Sequence, residues 1–216
     1  MRITVINDDT LFETGQLANI DLSHLESTFE NLPEDPYAPK GLRTRRYSRY
    51  RLAEGGNLTH LPQKDFMQSK DINKAVGDVQ RHFEEIDPSL ESDPGFVSMF
   101  EAFRSHTGLA PGTVVEAHQV RWNCDNRVAM AAPEGTHQDG FDYIGMFMVD
   151  TENLTGGEVL VYPNLDSPPI AKRSLKTGEY VVLNDKRLFH DAAPLVPEPN
   201  DRPGHWDLIV LTANRA

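Results

Sequence analysis

Thr136-His137-Gln138-Asp139-Gly140 sets an imidazole and a carboxylate two residues apart, at the entry to a strand-like run. On an extended segment such side chains leave the same face, so His137 and Asp139 can close on one ion from one strand. His190 lies far downstream in another strand-like run, which a barrel could carry beside the first two. Two imidazoles and one carboxylate fill three corners of an octahedron and leave three open. That pattern suits non-haem Fe(II), whose open positions accept a chelating co-substrate and dioxygen. A plainer reading stands against it. A lone His-x-Asp is common, and in a chain with eight histidines a further one downstream adds little.

The elements that must position these groups begin at Gly112. Thr113–Trp122, Arg127–Ala131, Phe141–Val149, Glu158–Tyr162, Glu179–Leu183, Arg187–His190 and His205–Thr212 are short runs of strand formers separated by Gly, Pro, Asn and Asp. The gaps are mostly too short for helical crossovers, which predicts an antiparallel sandwich or barrel. Gly156-Gly157 reads as a hairpin turn, and Asn184-Asp185 as a turn that delivers His190. Upstream, a short helix is expected over Leu22–Phe29 with Asp21 as its cap, then a turn region at Pro33–Pro39 and a positively charged strand at Leu42–Arg51. Ile72, Val76, Val79 and Phe83 fall at helical spacing within Asp71–Phe83. Asp93-Pro94 is a helix-start signal, and Phe96, Phe100 and Phe103 would share one face of that helix. The expectation is a single domain over residues 1–216, with helical and strand support over about 1–110 and a metal-binding core over about 112–214.

The chain carries 21 basic and 33 acidic side chains, a net charge of -12 that disfavours nucleic acid or an anionic membrane as partner. A single cysteine, Cys124, excludes an internal disulfide and any cysteine-rich metal site, and it fits a cytoplasmic location. The N-terminal MRITVINDDTLFETG lacks the apolar run of a secretory signal, and no stretch of the chain approaches a membrane span. The oligomeric state stays open, a homo-oligomer included.

Five stretches together resemble a known family: EAHQVRW (Glu116–Trp122), EGTHQDGFDY (Glu134–Tyr143), TGGEVLVY (Thr155–Tyr162), TGEYVVLND (Thr177–Asp185) and RLFHDAAPL (Arg187–Leu195), with YSRY (Tyr47–Tyr50) as a further candidate. They resemble the Fe(II)/2-oxoglutarate-dependent dioxygenases, and among these the small bacterial enzymes that hydroxylate free amino acids such as isoleucine. The resemblance implies a mainly β fold, a double-stranded β-helix (jelly-roll, cupin-like) core backed by N-terminal helices. It implies Fe(II) held by His137, Asp139 and His190, with 2-oxoglutarate and dioxygen as co-substrates, succinate and carbon dioxide as co-products, and a free L-amino acid as substrate. Because Asp139 supplies a metal carboxylate, the resemblance implies hydroxylation rather than halogenation.

In this family a basic residue near the last strand grips the far carboxylate of 2-oxoglutarate, a task that suits the planar fork of arginine. Here Trp206 stands before Asp207, where an arginine is expected. Arg202, twelve residues after His190, is the first choice for the grip; Arg121 is the second, if it shares an inward face with Gln119, and Arg215 a third. Arg43, Arg45, Arg46, Arg49 and Arg51 form a basic group that could attract an anion or simply be a solvated edge strand. Arg46, Tyr47 and Tyr143 are the expected substrate contacts, with Met146 nearby. Oxidation of another small metabolite, a cupin-type metalloenzyme without 2-oxoglutarate, and a non-catalytic ligand-binding barrel are the competing readings.

Overall fold

A computed structural model describes residues 4–18, 20–53, 57–70, 77–125, 127–199 and 202–215. In chain order its elements are β1 (Phe12–Gln16), α1 (Ser23–Ser27), β2 (Arg43–Leu52), β3 (Leu58–His60), α2 (Pro94–Thr107), β4 (Val114–Asn123) and β5 (Tyr143–Glu152). Beyond these lie β6 (Leu154–Gly156), β7 (Val159–Tyr162), β8 (Ala171–Arg173), β9 (Glu179–Asn184), β10 (Phe189–Ala192), β11 (Leu195–Pro197) and β12 (His205–Ala213).

A seven-stranded sheet runs β1-β9-β5-β12-β4-β2-β3, a three-stranded sheet runs β10-β7-β8, and β11 pairs with β6. The strand pairs are antiparallel. This is the antiparallel arrangement the strand pattern predicts and the mainly β jelly-roll architecture the resemblance implies. The N-terminal part is more than a support, since β1, β2 and β3 extend the large sheet at both edges.

The large sheet is buried on both faces, and each face has its own core. One face meets α2, whose start is built as expected: the Asp93 side chain accepts from the Phe96 N–H, Pro94 comes next, and Gly108 ends the helix at φ 65°. Phe96, Phe100 and Phe103 pack there with Tyr143, Phe147, Tyr180, Ile209 and Leu211. Gly145 permits this approach, because a Cβ on it would lie 2.8 Å from the Phe103 ring. The other face looks across to the small sheets, with Val120, Trp122, Ile144, Met146, Leu208 and Trp206 packed against Val159, Val161 and Leu195.

Several expectations change. The helix at Leu22–Phe29 is shorter, α1 followed by a 3-10 turn at Thr28–Asn31, and Asp21 accepts from the Ser23 N–H while Leu22 is the cap position. Of the helix expected at Asp71–Phe83, residues 71–76 lie outside the described residues. Residues 77–83 form a turn and an extended bridge from Arg81 to Phe66, because Phe83 is drawn into an aromatic cluster with Tyr47 and Phe66. Arg127–Ala131 contributes one bridge, Ala129 to Leu195, rather than a strand. Gly156-Gly157 is no hairpin: the chain passes there from the β11 partner to the β10 partner, and a Cβ on Gly156 would lie 1.9 Å from the Pro194 carbonyl oxygen.

Candidate metal centre and its cavity

His137 sits opposite His190 in a two-way antiparallel bridge, each backbone N–H donating to the other's carbonyl at 3.0 and 2.9 Å. This pairing is what brings the downstream histidine to the His-x-Asp segment. Asp139 Oδ1 lies 3.8 Å from His137 Nε2, and Asp139 Oδ2 lies 3.6 Å from His190 Nε2. One ligand atom from each of the three falls within 4.8 Å of the others.

The surroundings fix which atoms face inward. His137 Nδ1 lies 2.8 Å from the Gly135 carbonyl, so it carries the proton and leaves the Nε2 lone pair toward Asp139. His190 Nδ1 faces Asp185 Oδ1 at 3.5 Å, which likewise turns its Nε2 toward the carboxylate. Asp185 is fully buried, and its Oδ2 accepts the backbone N–H groups of Asp139, Gly140 and Phe141 at 2.9, 2.8 and 3.2 Å. Gln68 donates to Asp139 Oδ1 at 3.0 Å.

In the metal-free protein the three side chains hold one another by charge. Burial raises the Asp139 carboxyl, but hydrogen bonding and charge from His190, charge from His137 and the Gln68 amide outweigh it and hold the group well below the usual carboxylate range. Burial opposes charge on His190, yet hydrogen bonds and charge from Asp139 and Asp185 raise it to about 10. Two imidazole nitrogens and one carboxylate, all oriented by neighbours and open on one side, fit a ferrous ion.

The three residues form part of the wall of a cavity of about 190 Å³. Ile144, Met146, Val120, Trp122, Trp206, Leu208 and Val210 make its floor, and Phe66, Gln68 and Arg81 come from the segment lying over β2. Its arginines are Arg43, Arg45 and Arg81, and Glu134, Asp139 and Asp191 are its carboxylates.

A family model described as 2OG-Fe dioxygenase matches residues 26–212. The chain belongs to this family. It is an Fe(II)/2-oxoglutarate-dependent dioxygenase, and the family implies Fe(II), 2-oxoglutarate and dioxygen as its cofactors. The cupin without 2-oxoglutarate and the non-catalytic barrel therefore give way. Over 201 residues, 89% of this dioxygenase and 80% of the relative, it is 26% identical to a 3(1)-hydroxy-L-isoleucine 4-dioxygenase of Pantoea ananatis. Its fold is similar to a bsmA homolog from Methylobium petroleophilum PM1 (TM-score 0.74, 24% identity, 90% of this chain and 81% of that one). It is also similar to IDO from Bacillus thuringiensis (TM-score 0.77, 18% identity, 97% and 96%).

The dioxygenase departs from sequence expectation in its arginines. Strand parity sends His118, Val120 and Trp122 of β4 into the cavity, so Gln119 and Arg121 face the helical side. There Arg121 binds both carboxylate oxygens of Asp207 at 2.8 Å, and also Glu30 at 2.8 Å. Arg202 is exposed ahead of β12 and is not among the residues that line the cavity. Arg215 reaches the Tyr143 hydroxyl. Tyr143 is fully buried on the helical face, one residue out of phase with Ile144 and Met146, which do line the cavity. Arg46 bonds the Glu85 carbonyl and pairs with Glu84, while Tyr47, on the same face of β2 as Arg45, stacks on His118 and packs with Phe66 without itself lining the cavity. Sequence reasoning missed Gln68, Arg81, His118 and Asp185. Arg81 fell within the expected helix, His118 on the expected Thr113–Trp122 strand and Asp185 in the expected turn.

Proposed function

We propose that His137, Asp139 and His190 hold one ferrous ion, and that the enzyme hydroxylates an unactivated carbon of a free L-amino acid. The observation that carries the reading is the meeting of the three donors, within 4.8 Å, on a cavity wall that also presents two buried arginines. Neither Arg45 nor Arg81 is bonded to or ion-paired with a carboxylate among the described residues. A cavity with uncompensated guanidinium groups suits ligands that bring carboxylates of their own. A free amino acid is such a ligand, and the relative named for 3(1)-hydroxy-L-isoleucine lends the same substrate class.

When bound, Fe(II) with 2-oxoglutarate and dioxygen supplies the oxidising chemistry, with succinate and carbon dioxide as co-products. The protein's part is positional. Asp185 and Gln68 set Asp139, the Gly135 carbonyl and Asp185 set the two rings, and the Trp122–Trp206 pair with Leu208 and Val210 keeps the floor apolar and dry. Arg81, bonded to Gln68 at 2.8 Å, stands one residue removed from Asp139 and is our choice for the substrate carboxylate. A cytoplasmic setting belongs to this reading, since the only thiol, Cys124, is free and buried; no described helix is long and apolar enough to cross a membrane.

The test is aerobic incubation of the full chain with Fe(II), 2-oxoglutarate and a panel of L-amino acids and their hydroxylated derivatives. One panel member should gain a single oxygen atom, with succinate formed in equal amount. Succinate formation driven only by non-amino-acid metabolites would overturn the substrate class.

A further inference from the structure

Arginines and carboxylates share the cavity wall, Arg43, Arg45 and Arg81 with Glu134, Asp139 and Asp191, yet no carboxylate is bonded to Arg45 or Arg81 among the described residues. Arg43 is satisfied, its Nε bonded at 2.7 Å to Asp35, whose carboxylate is fully buried. Arg45 is different. It is 9% exposed, its guanidinium lies over the rings of Phe83 at 4.5 Å and Phe66 at 5.5 Å, and its Nε has no hydrogen-bond partner. Its polar contact is His118 Nδ1 at 2.5 Å. Burial and the Arg45 charge hold His118 well below the usual imidazole range, so the ring is neutral and Nδ1 accepts from the guanidinium. Burial, with Arg43 nearby, pulls Arg45 itself down to about 9. A buried cation with aromatic faces and one neutral acceptor is poorly compensated and calls for an anion.

The last strand supplies no cation to meet 2-oxoglutarate. The β12 residues that face the cavity are Trp206, Leu208, Val210 and Thr212, and Arg121 is locked to Asp207 on the far side of the sheet. Arg45 stands on β2, separated from β12 by β4 alone, and shares the cavity face with His118 and Val120. Unlike Arg81, which is bonded to Gln68 beside Asp139, it rises from a core strand.

We propose that Arg45, steadied by His118, seats the far carboxylate of 2-oxoglutarate in place of a last-strand arginine. The proposal rests on the metal-site reading above, and the two fail separately.

The test is anaerobic calorimetric titration of the full chain, loaded with Fe(II) or Mn(II), with 2-oxoglutarate and with 2-oxovalerate. The second has the same carbon count and no far carboxylate. Wild type should prefer 2-oxoglutarate by at least about thirtyfold. Arg45→Met should erase that preference while leaving 2-oxovalerate affinity within about threefold, and Arg45→Lys should keep part of it. The metal-free Arg45→Met protein should melt no lower than wild type, because an uncompensated buried charge has gone. A preference that survives Arg45→Met, or that disappears instead with Arg81→Met, overturns the proposal. So does loss of folding in both Arg45→Met and Arg45→Gln, which would mark Arg45 as structural. Metal-loaded wild type that binds both 2-oxo acids equally overturns the proposal alone, whereas wild type that takes up no metal overturns the metal-site reading and the proposal with it.

Discussion

Arg121 and Arg45 lie on adjacent strands of one sheet and are both largely buried, yet they live in opposite electrostatic worlds. On the helical face, Arg121 is gripped through Nε and Nη2 by the buried Asp207, with Glu30 beyond. On the cavity face, Arg45 and Arg81 lie against aromatic rings and bond neutral partners, with no carboxylate bonded to either among the described residues. The same contrast holds for the acids. Asp207 is spent on structure, whereas Asp139 faces two imidazoles across gaps of 3.6 and 3.8 Å that suit an ion. One face is complete without a ligand and the other is not. Substitutions on the two faces should therefore fail in different ways.

The sharpest contrast comes from the two aspartates. Asp139→Ala should lower 2-oxoglutarate turnover on the order of a thousandfold, beyond the 10–100-fold typical of residues that merely support a ligand. Its melting temperature in a scanning melt should fall by less than that of Asp207→Ala, since the lost attraction to His190 spans 3.6 Å and is not bidentate. Asp207→Ala should do the reverse. It strands a buried guanidinium at a cost of about 3 kcal/mol, a fall of roughly 6–12 °C in melting temperature for a chain of this size. The double substitution Arg121→Met with Asp207→Leu should recover most of that loss; if it does not, the pair is doing more than cancelling its own charge.

Asp185 ties the comparison together, since it is a fully buried acid that serves the cavity face through backbone N–H groups. Asp185→Ala should weaken iron binding about 10–100-fold, readable by chelator competition, by loosening both the Asp139 segment and the His190 ring. The smallest effect concerns pH. In the metal-free protein His190 is raised to about 10, so near neutrality it holds a proton that a metal must displace. Iron affinity should thus rise with pH, by about tenfold per unit through neutrality, levelling off as His190 loses its proton near 10, as titrations at several pH values would record.

The range of each interaction decided how legible it was in the sequence. The His137–Asp139 relation is local, and spacing on an extended segment was enough to suggest it. The start of α2 was equally legible, because Asp93, Pro94 and the Phe96 N–H interact within one turn. His190 needed a bridge between residues 53 apart, and only family resemblance pointed to it. Arg45 was hidden by its company: five arginines in nine residues read equally as an anion-attracting group or a solvated edge, and nothing local singles out the one buried under aromatic residues on the cavity face. Arg121 misled because strand alternation gives two faces without saying which is inward. Asp185 looked like a turn residue, since nothing local reveals that three N–H groups converge on it.

Anaerobic titration of Fe(II) into metal-free wild type and Asp139→Ala, read by calorimetry, tests the central claim most directly. Wild type should bind one ion per chain, and the variant should lose that binding. Stoichiometric binding of equal affinity in both proteins would contradict the assignment of Asp139 as a ligand.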